Sequence, residues 1–135
     1  MSNTKAIGVA FLDPEFSTCY ATEEIGYAAE AQGEVTQLTS KSTAVTLNKS
    51  MGRITMNAAS LATATNATFT FNNNTISAND TVILTISGGQ ATPGSYNVFA
   101  NALAAGSVSI TLRNISGGSL SEAIIVNFCV LHGQS

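Results

Sequence analysis

The sequence predicts an all-β fold: an antiparallel β-sandwich, jelly-roll or Ig-like, of about seven or eight strands, preceded by an N-terminal arm or short helix. Three observations predict it. From residue 34 onward, short runs alternate apolar and polar residues at period two, as where Val108, Ile110 and Leu112 stand among Ser107, Ser109, Thr111 and Arg113. Turn-forming residues separate the runs: Asn72-Asn73-Asn74, Gly88-Gly89, Pro93-Gly94 and Gly117-Gly118. No long helical periodicity intervenes, so the runs belong to a sandwich or barrel and not to βαβ units.

The first segment stands apart. Ile7, Val9 and Phe11 alternate with Gly8 and Ala10, which suits an extended stretch with one apolar edge. Asp13-Pro14 is a good helix start, since the Asp oxygen caps free amides and Pro fits the first helical position. A helix over Thr22–Ala31 stopped by Gly33 is one expectation. Gly26 and an irregular apolar spacing favour the other, an extended arm. The break at Gly33-Glu34 divides the chain into an attachment segment, residues 1–33, and a sandwich domain, residues 34–135.

The sandwich runs then follow in order. Val35 with Leu38, Val45 with Leu47, and Ile54 with Met56 are short apolar pairs among Thr, Ser and Gln. Phe69 and Phe71 alternate with Thr68 and Thr70, and Val82, Leu84 and Ile86 alternate with Thr81, Ile83 and Thr85. Tyr96, Val98 and Ala100 mark the next run, and Val108 to Leu112 the one after. Clean alternation puts one face on the core and leaves the other to water or a partner.

The last run, Ala123 to Leu131, is apolar on both faces apart from Asn127. Ile124, Val126, Phe128 and Val130 are expected in the core, with Ile125, Cys129 and Leu131 on the opposite face. That second face is covered by the N-terminal segment or forms a subunit interface. Both hold together if the covering arm comes from a neighbouring subunit. The candidate partner-binding residues are therefore Ile7, Val9, Phe11 and Phe16 on the arm, and Ile125 and Leu131 on the last strand.

Composition points the same way. The chain has 135 residues, enough for one domain, and is 44% hydrophobic but only 10% charged. Ordinary domains carry about 25% charge. A charge-poor surface is weakly protected against association. Six of the eight acids lie within residues 1–34, beside a single Lys5. The few Lys and Arg are scattered, so nothing neutralises a phosphate backbone and no nucleic-acid partner is expected. No apolar run approaches a membrane span, and the N-terminus lacks a secretory core, so synthesis in a cytoplasm is expected. Cys19 and Cys129 should then stay reduced.

The sequence offers no chemistry. The single histidine, His132, has no nucleophile motif to serve and reads as a surface residue near the C-terminus. Acids are not spaced as metal ligands, so neither metal nor cofactor is expected. Gly88-Gly89 and Gly117-Gly118 lack the Lys-Ser/Thr of a phosphate loop. Asp80 and Glu122, the only acids after Glu34, begin strands and read as turn residues first. A glycosidase would need them paired across a cleft.

The stretch Gly33-Glu-Val-Thr-Gln-Leu-Thr-Ser-Lys-Ser-Thr-Ala-Val-Thr-Leu-Asn-Lys49, with Gly52-Arg-Ile-Thr-Met56, resembles a segment of small virion proteins of tailed bacteriophages, including cyanophages. Residues 58–62, Phe69-Thr-Phe71 and Ser119-Leu-Ser-Glu-Ala-Ile-Ile-Val-Asn-Phe128 continue the likeness, which covers roughly residues 33 to 130. The opening Lys5-Ala-Ile-Gly-Val-Ala-Phe-Leu-Asp-Pro14 is similar to openings among such proteins. The resemblance implies a capsid cement or decoration protein, a homotrimer on the outer head surface whose partners are the major capsid protein and itself. It supplies no catalytic residues. The competing reading is a tail fibre, spike or other tail-associated module that binds a host surface glycan; exposed aromatics clustered at one end of the sandwich would favour it.

Overall fold

A computed structural model of the chain describes residues 16–133. Eight strands form two four-stranded sheets. In chain order they are β1 (Gln32–Thr36), β2 (Val45–Thr46), β3 (Met51–Thr55), β4 (Asn66–Asn72), β5 (Thr81–Gly88), β6 (Tyr96–Ala104), β7 (Ser107–Asn114) and β8 (Ile125–Leu131). The first sheet has the order β1-β3-β8-β5 and the second β2-β4-β7-β6. The β-sandwich read from the sequence is thus observed.

The sheets are mixed where antiparallel ones were expected: β1 pairs β3 in parallel, and β2 pairs β4 in parallel. The path of the chain explains this. The first six strands switch sheets at each step while reversing direction, so β3 returns beside β1 pointing the same way, and β4 returns beside β2. Among consecutive strands only β6 and β7 are hydrogen-bonded to each other, through a turn at Gly106 with φ 79°. Every other pairing is long-range.

Alternation decides what is inside. Val126, Phe128 and Val130 of β8, and Val108, Ile110 and Leu112 of β7, are at most 1% exposed, because these are central strands covered by the opposing sheet. Phe71 and Phe128 meet across the interior with ring centroids 4.7 Å apart, tilted by 60°. Gly52 pairs with Phe128, and a Cβ there would stand 3.0 Å from the ring and 2.3 Å from the Gly33 carbonyl oxygen. Only glycine lets β1 and the Phe128 ring approach β3 so closely. Gly89, with φ 85°, closes β5 where a Cβ would strike the Ala123 carbonyl.

Several local expectations are corrected. The helix over Thr22–Ala31 does not form; a single 3-10 turn at Ala29–Ala31 is all that appears there. Every residue from Phe16 to Gly26 is exposed, so no apolar stripe is buried to hold a helix. Leu38 lies beyond the end of β1 and is 84% exposed. The strand around Val45 is only two residues long, with Val45 buried and Leu47 packed at the margin of the core.

Candidate interaction surfaces

The outer face of the first sheet carries the odd-numbered residues of β8. Cross-strand pairing arranges it in rows: Met51, Cys129 and Ile83 form an apolar row, and Arg53, Asn127 and Thr85 a polar one. Thr55 and Ile125 continue it toward Gly88. Ser87 Oγ donates to Asn127 Oδ1 at 2.9 Å, and Arg53 lies 3.7 Å from Glu34 on β1. Ile83 and Leu131 are about half exposed, at 47% and 51%. Ile125 and Cys129 are half-buried. The structure therefore gathers Ile125, Cys129 and Leu131 on one face and adds Ile83, which the alternation of β5 had also placed on its outer side.

The leading segment meets this sheet at Tyr27. The Tyr27 hydroxyl donates to the carbonyl of Val130, whose amide donates to the Ser50 carbonyl just before β3. Burial raises the Tyr27 phenol pKa, and the neighbouring Cys129 and Asp80 raise it further. Upstream of this anchor, Phe16, Tyr20 and Ile25 are 66%, 89% and 89% exposed. Phe16 is thus presented to solvent on an irregular approach, while Ile7, Val9 and Phe11 lie outside the described residues. Both cysteines are free thiols; Cys19 is exposed and Cys129 is half-buried.

His132 is not an isolated surface residue. Its Nδ1 lies 2.9 Å from Asp80 Oδ2, and the Asp80 carboxylate is wholly buried. That carboxylate also accepts from Ser77 N at 2.7 Å, Ser77 Oγ at 2.7 Å and Gly133 N at 3.1 Å. The Ser77 amide, then its hydroxyl, hold the Asp80 pKa well below the usual carboxylate range; His132 and Gly133 add to this, against the opposing effect of burial. A nucleophilic triad would place the serine on the other imidazole nitrogen. Here Ser77 and His132 share one acceptor, so the cluster ties the end of β8 to the turn before β5.

A second buried cluster also escaped sequence reading. Lys41, in the β1–β2 connection, is 3% exposed and donates to the carbonyls of Asn57 and Glu122. Burial lowers its pKa, while the Glu122 charge acts in the opposite sense. Glu122 Oε1 accepts from the Ala91 amide. Tyr96 Oη and Glu122 Oε2 are buried without a well-formed hydrogen bond, and burial, then Glu122, raises the Tyr96 phenol pKa. These groups bind four connections together, those after β1, β3, β5 and β7.

On the second sheet's outer face the residues are mostly hydroxyl and amide. Thr68 and Thr111 share a hydrogen bond of 2.8 Å, and Arg113 donates to Asn66 at 3.1 Å. Phe99, 42% exposed, is the large apolar side chain of that face. Among the described residues no three His, Cys, Asp or Glu side chains gather as metal ligands would, and no helix is long and apolar enough to cross a membrane. Comparisons of the chain with family models, with curated proteins and with solved structures find no match.

Proposed function

We propose that the chain is a virion structural protein of a tailed bacteriophage, a capsid cement or decoration protein that binds the outer head surface as a homotrimer. The observation that carries this reading is the exposed approach from Phe16 to Gly26, which presents Phe16, Tyr20 and Ile25 to solvent beside a charge-poor sandwich. Large apolar side chains exposed within one ten-residue segment suit a partner surface. The partners in this reading are the major capsid protein and further copies of the chain. Repetition over a lattice supplies avidity, so each contact can be modest. The sequence resemblance supports the same reading.

A glycan-binding tail module would draw on clustered aromatics. Instead Phe16 and Tyr20 sit on the leading segment and Phe99 on a sheet face. An image reconstruction of intact particles carrying this chain tests the proposal. Threefold density on the outside of the head is expected; density confined to the tail overturns it.

A further inference from the structure

The two flanks of the sandwich are not equivalent. One is bounded by β1 and β2, five and two residues long, and β1 carries the charged Glu34. It is closed tightly: a Cβ on Gly33 would stand 3.0 Å from Leu47 Cδ1. The other is bounded by β5 and β6, eight and nine residues long. Neither strand contains a charged residue or a proline. Natural proteins guard sheet edges with charge, proline, shortness or a cover. The β1/β2 flank uses charge and shortness. The β5/β6 flank uses neither, and each of its strands pairs on one side only among the described residues.

Burial repeats the contrast. Val82, Leu84 and Ile86 point inward from β5, and Val98, Ala100 and Leu103 from β6, yet all six are only partly buried. Their neighbours on the central strands are at most 1% exposed. An apolar seam therefore lies open between two unguarded edges.

We propose that this seam receives residues 6–12 of a second copy of the chain, added as a strand alongside β5. The inference rests on the part of the functional reading in which copies of the chain join one another, and not on the particle. Residues 6–12 contain no charge and are bracketed by Lys5 and by Asp13-Pro14. Ile7, Val9 and Phe11 repeat at period two, the spacing of Val82, Leu84 and Ile86, so one register turns all three into the seam. Gly8 and Ala10 then face outward. Pro14 lacks the amide needed to continue the ladder.

We assign the occupant to another copy because no residue of the approach joins the apolar core of its own sandwich. Tyr27 is fixed on Val130, and all residues from Phe16 to Gly26 are exposed. The 15 residue-to-residue steps from Leu12 to Tyr27 span at most about 50 Å when extended, ample for a neighbouring sandwich. Donation from each copy to the next is a heterologous contact, which closes as a ring when the rotation permits; three copies make the trimer.

Disulfide trapping tests it, in a background of Cys19→Ser and Cys129→Ser. A Val9→Cys chain is co-expressed with a size-tagged chain bearing Val82→Cys, Leu84→Cys or Ile86→Cys, with Thr70→Cys on the far sheet as control. Circular dichroism confirms that each variant folds. Ala10→Cys with Ile83→Cys or Thr85→Cys, on the outward side of the same strands, repeats the test without touching the seam. We expect a cross-linked heterodimer at least ten-fold above the control for one inward and one outward pairing. Deleting residues 1–14 should reduce the mass in light scattering from three chains to one.

Cross-links confined to single chains, or a trimer that survives the deletion, overturn the proposal. Interchain cross-links without head density would leave it standing and remove the functional reading. Head density without cross-links would do the reverse.

Discussion

Replacing Phe128 by alanine probes the part of the fold on which everything else depends. The side chain is 1% exposed, on a central strand, with the Phe71 ring 4.7 Å from its own and Gly52 directly beneath it. Truncation removes the whole ring from an interior that cannot collapse freely, since both sheets are fixed by long-range ladders. Such substitutions cost about 3–5 kcal/mol through lost burial and residual cavity. The tilted contact with Phe71 belongs to a class that adds roughly 0.5–1.5 kcal/mol beyond area, which places this site toward the upper half of that range. Against a domain stability of about 5–15 kcal/mol, roughly a quarter or more of the fold's margin is at stake. Urea unfolding followed by circular dichroism reads the loss directly as a shift in midpoint at constant slope. A loss below about 1.5 kcal/mol would refute the assignment of Phe128 to a rigid core, because only a mobile or half-exposed ring could be removed at so small a cost. Ile125→Asp is the companion measurement. Ile125 lies half-buried on the opposite face of the same strand, where a free subunit can keep a carboxylate wet. It should leave a folded subunit while reducing the mass in light scattering; unfolding as severe as that of Phe128→Ala would show the outer face to be interior.

Further outcomes follow from individual contacts. Gly52→Ala should lose about 1–3 kcal/mol in the same urea titration, as overpacking does. Combining it with Phe128→Ala should not restore that loss, because the Gly33 carbonyl, 2.3 Å from the added Cβ, remains. Lys41→Ala strands the Asn57 and Glu122 carbonyls and should cost about 1–3 kcal/mol for each, read as a lowered thermal midpoint. Asp80 has a folded pKa below its unfolded value of about 3.9, so the unfolded state binds more protons in acid. Its stabilisation is present above that unfolded value and declines as pH falls through it toward the folded pKa. Asp80→Asn should flatten this acid limb of the stability curve, and an unchanged limb would count against the buried hydrogen-bond cluster. Removing residues 1–26 should leave β-type circular dichroism intact, since all described residues before Tyr27 are exposed.

What was legible in the sequence was the part governed by period-two alternation. Phe69, Phe71, Val108, Ile110, Leu112 and the even residues of β8 declare their face because a strand has only two, and water chooses between them. Strand order was not legible. Nothing local to Glu34 says that it will lie beside Arg53 in parallel, because that pairing follows from two sheet crossings. The polar clusters were hidden for a related reason. Lys41 looked like ordinary surface charge, and its burial depends on carbonyls 16 and 81 residues away. His132 and Asp80 were each read correctly as strand-end residues and incorrectly as solitary ones, since 52 residues separate them. Only the Ser77-Ala-Asn-Asp80 turn gave a local sign, a serine three residues before an acid. The candidate surfaces lie between these cases. The apolar doubling of β8 flagged its outer face, and the sequence of β5 and β6 already showed two long runs without charge. Their meaning required the topology, for an uncharged strand at the centre of a sheet is ordinary and the same strand at an edge is exposed to pairing. It is the position of β5 and β6 at the two edges of one flank that turns their composition into an argument for a partner.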